Sequence, residues 1–105
     1  MLSADLHIHT AHSKDGESRV RDILHAAEHT GLDVIAITDH DTITGWKEAE
    51  TIPARVLVIP GIEISTAEGH LVALGITTAL PPGAGILETI RMIHAAGGIA
   101  ILPHP

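Results

Sequence analysis

Hydrophobic and polar positions along the chain fall into short alternating runs, continuous apolar runs and helical stripes. Residues 3–9 alternate, with Leu6 and Ile8 facing one way and Asp5, His7 and His9 the other, which predicts a first strand. Over 18–30, Val20, Ile23, Leu24 and Ala27 form an i, i+3, i+4, i+7 stripe, with Ser18 as the expected N-cap and Gly31 suited to the C-cap position. "DVIAIT" (33–38) is a short β-branched run, as expected of a strand buried on both faces. A short helix is expected near 44–51. "ARVLVIPGIEIST" (54–66) reads as a strand region broken by Pro60-Gly61, and "HLVALGI" (70–76) follows closely enough to pair with it. "LPPGAG" (80–85) is loop. Ile86, Leu87, Ile90 and Ile93 make a second helical stripe, ended by Gly97-Gly98, and "IAILPHP" (99–105) begins another strand.

The order β-α-β-α-β-β-α-β predicts an α/β protein with a largely parallel sheet. A length of 105 residues suits one small domain, and a hydrophobic content of 45% suffices for a core. That core must be aliphatic, because the chain has no Phe or Tyr and a single Trp. There is no internal repeat, low-complexity tract or linker. A core-like strand carrying a polar motif at the chain's end reads as an N-terminal portion of something larger. Its open sheet edges lead us to expect a homo-oligomer. With no run of about 18 apolar residues and no signal-peptide pattern, the chain reads as soluble and cytoplasmic, with no membrane partner.

Charge and residue chemistry narrow the function. Thirteen Asp and Glu against six Lys and Arg give a net charge of −7, poorly suited to stable nucleic-acid binding. Three divalent cations would cancel six of those seven charges. Nine histidines and no cysteine exclude disulfides and thiolate sites, so any metal must be held by imidazole and carboxylate. His7 and His9, i and i+2 on a strand, project from one face about 6–7 Å apart and can reach one cation together. Asp5 shares that face and could orient a ligand from behind it. His40 in "AITDHDT" follows the second strand, flanked by Asp39 and Asp41. Glu63 lies between Ile62 and Ile64, where a carboxylate is costly unless paired or bound to a cation. His70 opens "HLVALG" and His104 ends "AILPHP".

Each has a plain alternative taken alone: a polar strand end, a helix-capping turn, a surface-facing alternation. Together, His9, His40, Glu63 and His104 sit at or just beyond predicted strand C-terminal ends, which parallel strands place on one rim. A His and carboxylate set without Cys suits Zn, Mn or Fe(II) in a multinuclear hydrolytic site. His25 and His29 lie opposite the first helix's apolar stripe and are expected to face solvent, His94 is expected to be structural, and His12 lies in the loop beside the site, where it could touch substrate.

"DLHIHT…DG", "ITDHDT", "GIEIS", "GHLVALG" and "ILPHP", in this order and across essentially the whole chain, resemble the motifs of the polymerase and histidinol phosphatase (PHP) family of metal-dependent phosphoesterases. The resemblance is nearest to small members that hydrolyse nucleotides or short oligonucleotides. It implies a distorted TIM-like barrel of about seven βα units with up to three metal ions at its C-terminal rim. His7 and His9 would bind the first, Glu63 would bridge first and second, His70 and His104 would complete the second, and Asp15 and His40 would hold the third. The family's further Asp and His, from a Gly-x-Asp-x-His-like motif late in the barrel, have no counterpart here. The implied reaction is attack by metal-activated hydroxide on a phosphate ester, with no protein nucleophile.

Three other readings stay open at this point. Amidohydrolases share the His-x-His strand, but many bridge their metals with a strand lysine, and the only lysines are Lys14 and Lys47 in polar contexts. Asp39 could be the covalent nucleophile of a haloacid-dehalogenase phosphatase, although Thr42-Ile43 replaces that family's Gly-Thr. A catalytically incomplete, metal-binding fragment is the non-enzymatic reading.

Overall fold

The computed structural model describes residues 2–103; the expected ligand His104 lies outside them. The elements are β1 (Ala4–Ile8), α1 (Val20–His29), β2 (Val34–Ile37), α2 (Thr44–Glu50), β3 (Leu57–Thr66), β4 (Gly69–Leu74), α3 (Ile86–Ala95) and β5 (Ile99–Ile101). They form one five-stranded sheet in the order β1-β2-β3-β4-β5.

The α/β class holds, but the sheet is mixed rather than largely parallel. β1 with β2 and β2 with β3 pair parallel, while β3 with β4 and β4 with β5 pair antiparallel. The cause is the connection: Thr66 pairs with Gly69, leaving two residues between the strands, far too few for a crossover. β4 therefore returns as a hairpin arm, and β5 after α3 runs in the direction of β1 to β3.

Pro60-Gly61 does not break β3. The strand continues through it and changes partner there: Leu57 to Pro60 pair with β2, and Gly61 to Thr66 with β4. Proline's missing N–H falls where one ladder hands over to the next, and its carbonyl accepts the Gly75 N–H at 2.7 Å. A Cβ on Gly61 would press on the Ala73 carbonyl and Thr38 Cγ2, so the close approach requires glycine.

Alternation along β2, β3 and β4 divides the sheet's two faces. Ile35, Ile37 and Val58 of β2 and β3 pack with Val20, Leu24 and Ala27 of α1 and Ala49 of α2. Further along, Ile62, Ile64, Leu71 and Ala73 pack with Ile93 of α3. The opposite face carries Ala36, Ile59, Val72 and Leu74. Each fully buried aliphatic side chain contributes about 1.5–3 kcal/mol over its exposed state.

Other boundaries shift for local reasons. Helix α1 begins at Val20 with Arg19 at the N-cap and no side-chain cap, while the Ser18 carbonyl, outside the helix, receives the Ala11 N–H across the loop at 2.8 Å. Thr30 takes the C-cap, and Gly31 follows it at φ +80°. Leu87 is 66% exposed; Thr89, whose hydroxyl bonds the Gly85 carbonyl, takes the buried position expected of it. In β1, three steps from Asp5 to Ile8 face two from Ile35 to Ile37, a bulge that breaks the simple alternation and leaves Leu6 41% exposed.

Glycine at position 45, inside α2, is dictated by contact rather than conformation, since a Cβ there would overlap Asp39 Oδ2 and Thr10 Oγ1. Gly45→Ala is expected to cost about 1–3 kcal/mol by overpacking, despite the better helix propensity of alanine. Urea denaturation reads this directly, and an unshifted midpoint would refute the close packing.

Candidate metal centre

Glu63 is the centre of the site. It lies within β3, not at its end as expected, but β3 outruns β2, so Glu63 stands level with His40 just past the end of β2 and pairs with it as an isolated parallel bridge. His70 is the second residue of β4, and because β4 is antiparallel its first residues lie beside the last of β3. The hairpin thus returns His70 to the same rim.

Glu63 is 2% exposed. Its Oε1 lies 2.7 Å from His7 Nε2 and 2.7 Å from His9 Nε2, and its Oε2 lies 3.3 Å from His70 Nδ1. Asp15 joins from the loop after β1, with Oδ1 3.1 Å from His9 Nδ1 and Oδ2 2.9 Å from His40 Nε2. Ring centroids follow one another at 5.0 Å (His7–His9), 4.5 Å (His9–His40) and 4.9 Å (His40–His70). Three overlapping groups result, His7–His9–Glu63, His9–Asp15–His40 and His40–Glu63–His70, each with ligand atoms within 4.8 Å of one another. Six of the seven expected ligands therefore converge; the seventh, His104, lies outside the described residues.

Burial grades from floor to mouth. The His40 side chain is 7% exposed, whereas Asp15 is 48% and His70 40% exposed, so the cluster opens to solvent on one side. Burial pushes the Glu63 carboxyl up, but hydrogen bonds from His7 and His9 and the charge of His40 and His7 outweigh it and hold it below the ordinary value. Asp15 is likewise held low: hydrogen bonds from Ser13 and His40 and the charges of His9 and His40 overcome its desolvation.

The residues fit a divalent cation on two counts. Four imidazoles and two carboxylates without sulfur form a donor set suited to Zn, Mn or Fe(II). His40 Nδ1 is buried with no hydrogen-bond partner among the described residues, an unmet polar atom within the cluster that a bound cation would satisfy.

The remaining candidates separate cleanly. Asp5 accepts the His7 backbone N–H at 3.2 Å rather than an imidazole, bracing the bulge. His12 is engaged at both ring nitrogens, by Thr44 Oγ1 at 3.0 Å and Glu48 Oε1 at 2.6 Å. Asp39 is fully buried, with one oxygen accepting the Thr10 N–H and the other the Thr10 hydroxyl, so it is no exposed nucleophile. His25, His29 and His94 are exposed, as are Lys14 and Lys47. Sequence reasoning missed Ser13, which is 4% exposed, donates to Asp15 and accepts the His40 N–H at 3.0 Å. A serine in a loop carries no periodic signal to find it by.

The sequence profile of the PHP domain matches residues 5–98. An uncharacterized protein of Methanocaldococcus jannaschii is 40% identical over 116 residues, spanning 99% of this chain and 68% of its own length. A 3',5'-nucleoside bisphosphate phosphatase of Chromobacterium violaceum is 35% identical over 97 residues, spanning 87% of this chain but 34% of its own length. Among solved structures, a two-domain Bacteroides vulgatus protein containing a predicted PHP-like metal-dependent phosphoesterase superposes with a TM-score of 0.72. It is 24% identical over 94% of this chain and 34% of that one, and supports an α/β fold consistent with part of a TIM-like barrel. Among the described residues no helix is long and apolar enough to cross a membrane.

The lowered Glu63 carboxyl has a consequence in the metal-free protein. A group whose folded value lies below its ordinary value of 4.5 confers stability that is complete above that pH and lost as pH falls through the folded value. With chelator present, the urea midpoint should fall on acidification below about pH 4.5, and Glu63→Gln should flatten that fall. An equally steep fall in the variant would show that Glu63 is not its source.

Proposed function

The chain belongs to the PHP domain family, and from that premise we propose that it is a metal-dependent phosphoesterase acting on a nucleotide or short oligonucleotide. The carrying observation is the buried Glu63 carboxylate with imidazoles of His7, His9 and His70 gathered on it at 2.7–3.3 Å. The nucleotide class is supported by the bisphosphate phosphatase among its relatives. The five strands would be the first part of a distorted barrel of about seven βα units, whose remaining wall would cover the helix-free face.

His7 and His9 with Glu63 would hold one cation, Glu63 with His70 and His104 a second, and Asp15 with His40 a third. Cations so held would supply a lowered pKa for water, an anchor for the phosphate and positive charge against that developing on its oxygens. The protein's own part is placement. Glu63, on a rigid strand, spans the neighbouring groups with its two oxygens. His9 and His40 each stand between two groups and fix their spacing. Asp15, half-exposed at the mouth, completes the wall that a phosphate ester would meet.

A chelator should abolish hydrolysis of bis(p-nitrophenyl) phosphate by the purified chain, and Mn2+ should restore it. Glu63→Ala should lower the restored rate by at least about 100-fold, of the order seen when positioned charge stabilisation is removed. Hydrolysis that survives both chelator and Glu63→Ala would overturn the proposal.

A further inference from the structure

Two carboxylates of the 39–42 turn take no part in the cluster and are nonetheless fully engaged. Asp39 binds back to Thr10 beyond β1 through its N–H at 2.5 Å and its hydroxyl at 2.7 Å. Asp41 binds forward to Ser65 in β3, accepting the backbone N–H at 2.8 Å on Oδ1 and the hydroxyl at 2.7 Å on Oδ2. The backbone closes the same junction, with the Glu63 N–H on the Asp39 carbonyl at 2.9 Å and the Asp41 N–H on the Glu63 carbonyl at 3.0 Å. His40 lies between the two aspartates, tied on one side to β1 and on the other to β3.

Asp41 also has φ +55°, the one positive value at a non-glycine among the described residues. Such a conformation persists only where the surroundings enforce it. Here the enforcing contact is Ser65, two residues from Glu63 on the same strand. The Asp41–Ser65 clamp therefore fixes the turn that carries His40 against the strand that carries Glu63. Without it, only the two backbone bonds join the turn to β3, and the placement of His40 relative to Glu63 and His70 is less closely fixed.

We propose that Asp41 is a positioning residue: it binds no cation itself, and through Ser65 it holds the turn carrying His40 in register with the strand carrying Glu63, so that the cations of these neighbouring groups find their ligands already placed. This inference rests on the metal-centre reading above and adds to it a residue outside the ligand set.

The test is Zn2+ affinity by calorimetry, run well below the melting temperature on the full chain and on Asp41→Gly, Asp41→Asn and Ser65→Ala, alongside the melting temperature of each metal-free protein. Glycine tolerates the positive φ but cannot clamp, so Asp41→Gly should weaken Zn2+ binding by about 10–100-fold, the usual effect of losing a partner behind the ligands. Asparagine tolerates the same φ and still accepts the Ser65 N–H, so Asp41→Asn should stay within about threefold of the parent. Ser65→Ala should weaken binding in the parent and add little in the Asp41→Gly background. Unchanged Zn2+ affinity in folded Asp41→Gly, whatever its melting temperature, overturns the proposal; if that variant does not fold, unchanged affinity in Ser65→Ala does so. A parent chain that takes up no Zn2+ overturns the metal-centre reading itself, a result distinct from either.

Discussion

A carboxylate taken out of water must be met by positive charge or by hydrogen-bond donors, and Glu63 is the residue on which that requirement falls. At 2% exposure it has almost no solvent to rely on. An unpaired charge in such a place costs several kcal/mol even after relaxation. The answer comes from far along the chain: His7 and His9 lie 56 and 54 residues away and arrive on a different strand. The parallel register of β1, β2 and β3 makes this possible, because it puts the exits of β1 and β2 on the rim where β3 runs on. The β3–β4 hairpin adds His70 from the opposite chain direction, so parallel and antiparallel pairings converge on the same carboxylate.

The elements that could be read in the sequence are those whose burial is one-sided or complete. β2 is a continuous apolar run and is buried almost throughout; α1 shows its stripe because only one face meets the sheet. Features set by a partner were harder to read. Pro60-Gly61 looked like a break because proline removes a ladder bond, yet the strand changes neighbours at that point and the bond is not needed there. The bulge in β1 depends on register against β2, and Leu87 lost its expected place to Thr89 because a threonine that satisfies its own hydroxyl on the preceding turn can be buried.

The same division runs through the site. Five of the converging candidates, His7, His9, His40, Glu63 and His70, were legible because histidines and a carboxylate in or at the ends of apolar strands conflict with their local surroundings, whereas Asp15, in the loop after β1, came only with the resemblance to the PHP motifs. The residues that brace them were illegible in advance, since Ser13, Thr10 and Ser65 are chemically ordinary and acquire their importance from what lies opposite. In "TDHDT" three consecutive ionisable residues end with three different attachments: Asp39 to Thr10, His40 to Asp15, Asp41 to Ser65. Charge in a motif identifies the motif; only contact tells a ligand from a brace.

The apolar floor accounts for why so many partners gather. Val72 pairs directly across from Glu63, and with Ala36, Ile59 and Leu74 it forms the helix-free face of the sheet. Such a floor offers no hydrogen bond, so everything that stabilises the carboxylate must come from the rim side. Crowding imidazoles there is self-limiting, since neighbouring rings at 4.5–5.0 Å repel one another if all are protonated. Doubly charged cations among the imidazoles would meet both demands at once, stabilising Glu63 while keeping the rings compatible. Two carboxylates and four of the nine histidines thus share one small volume, an arrangement whose charge a divalent cation would balance.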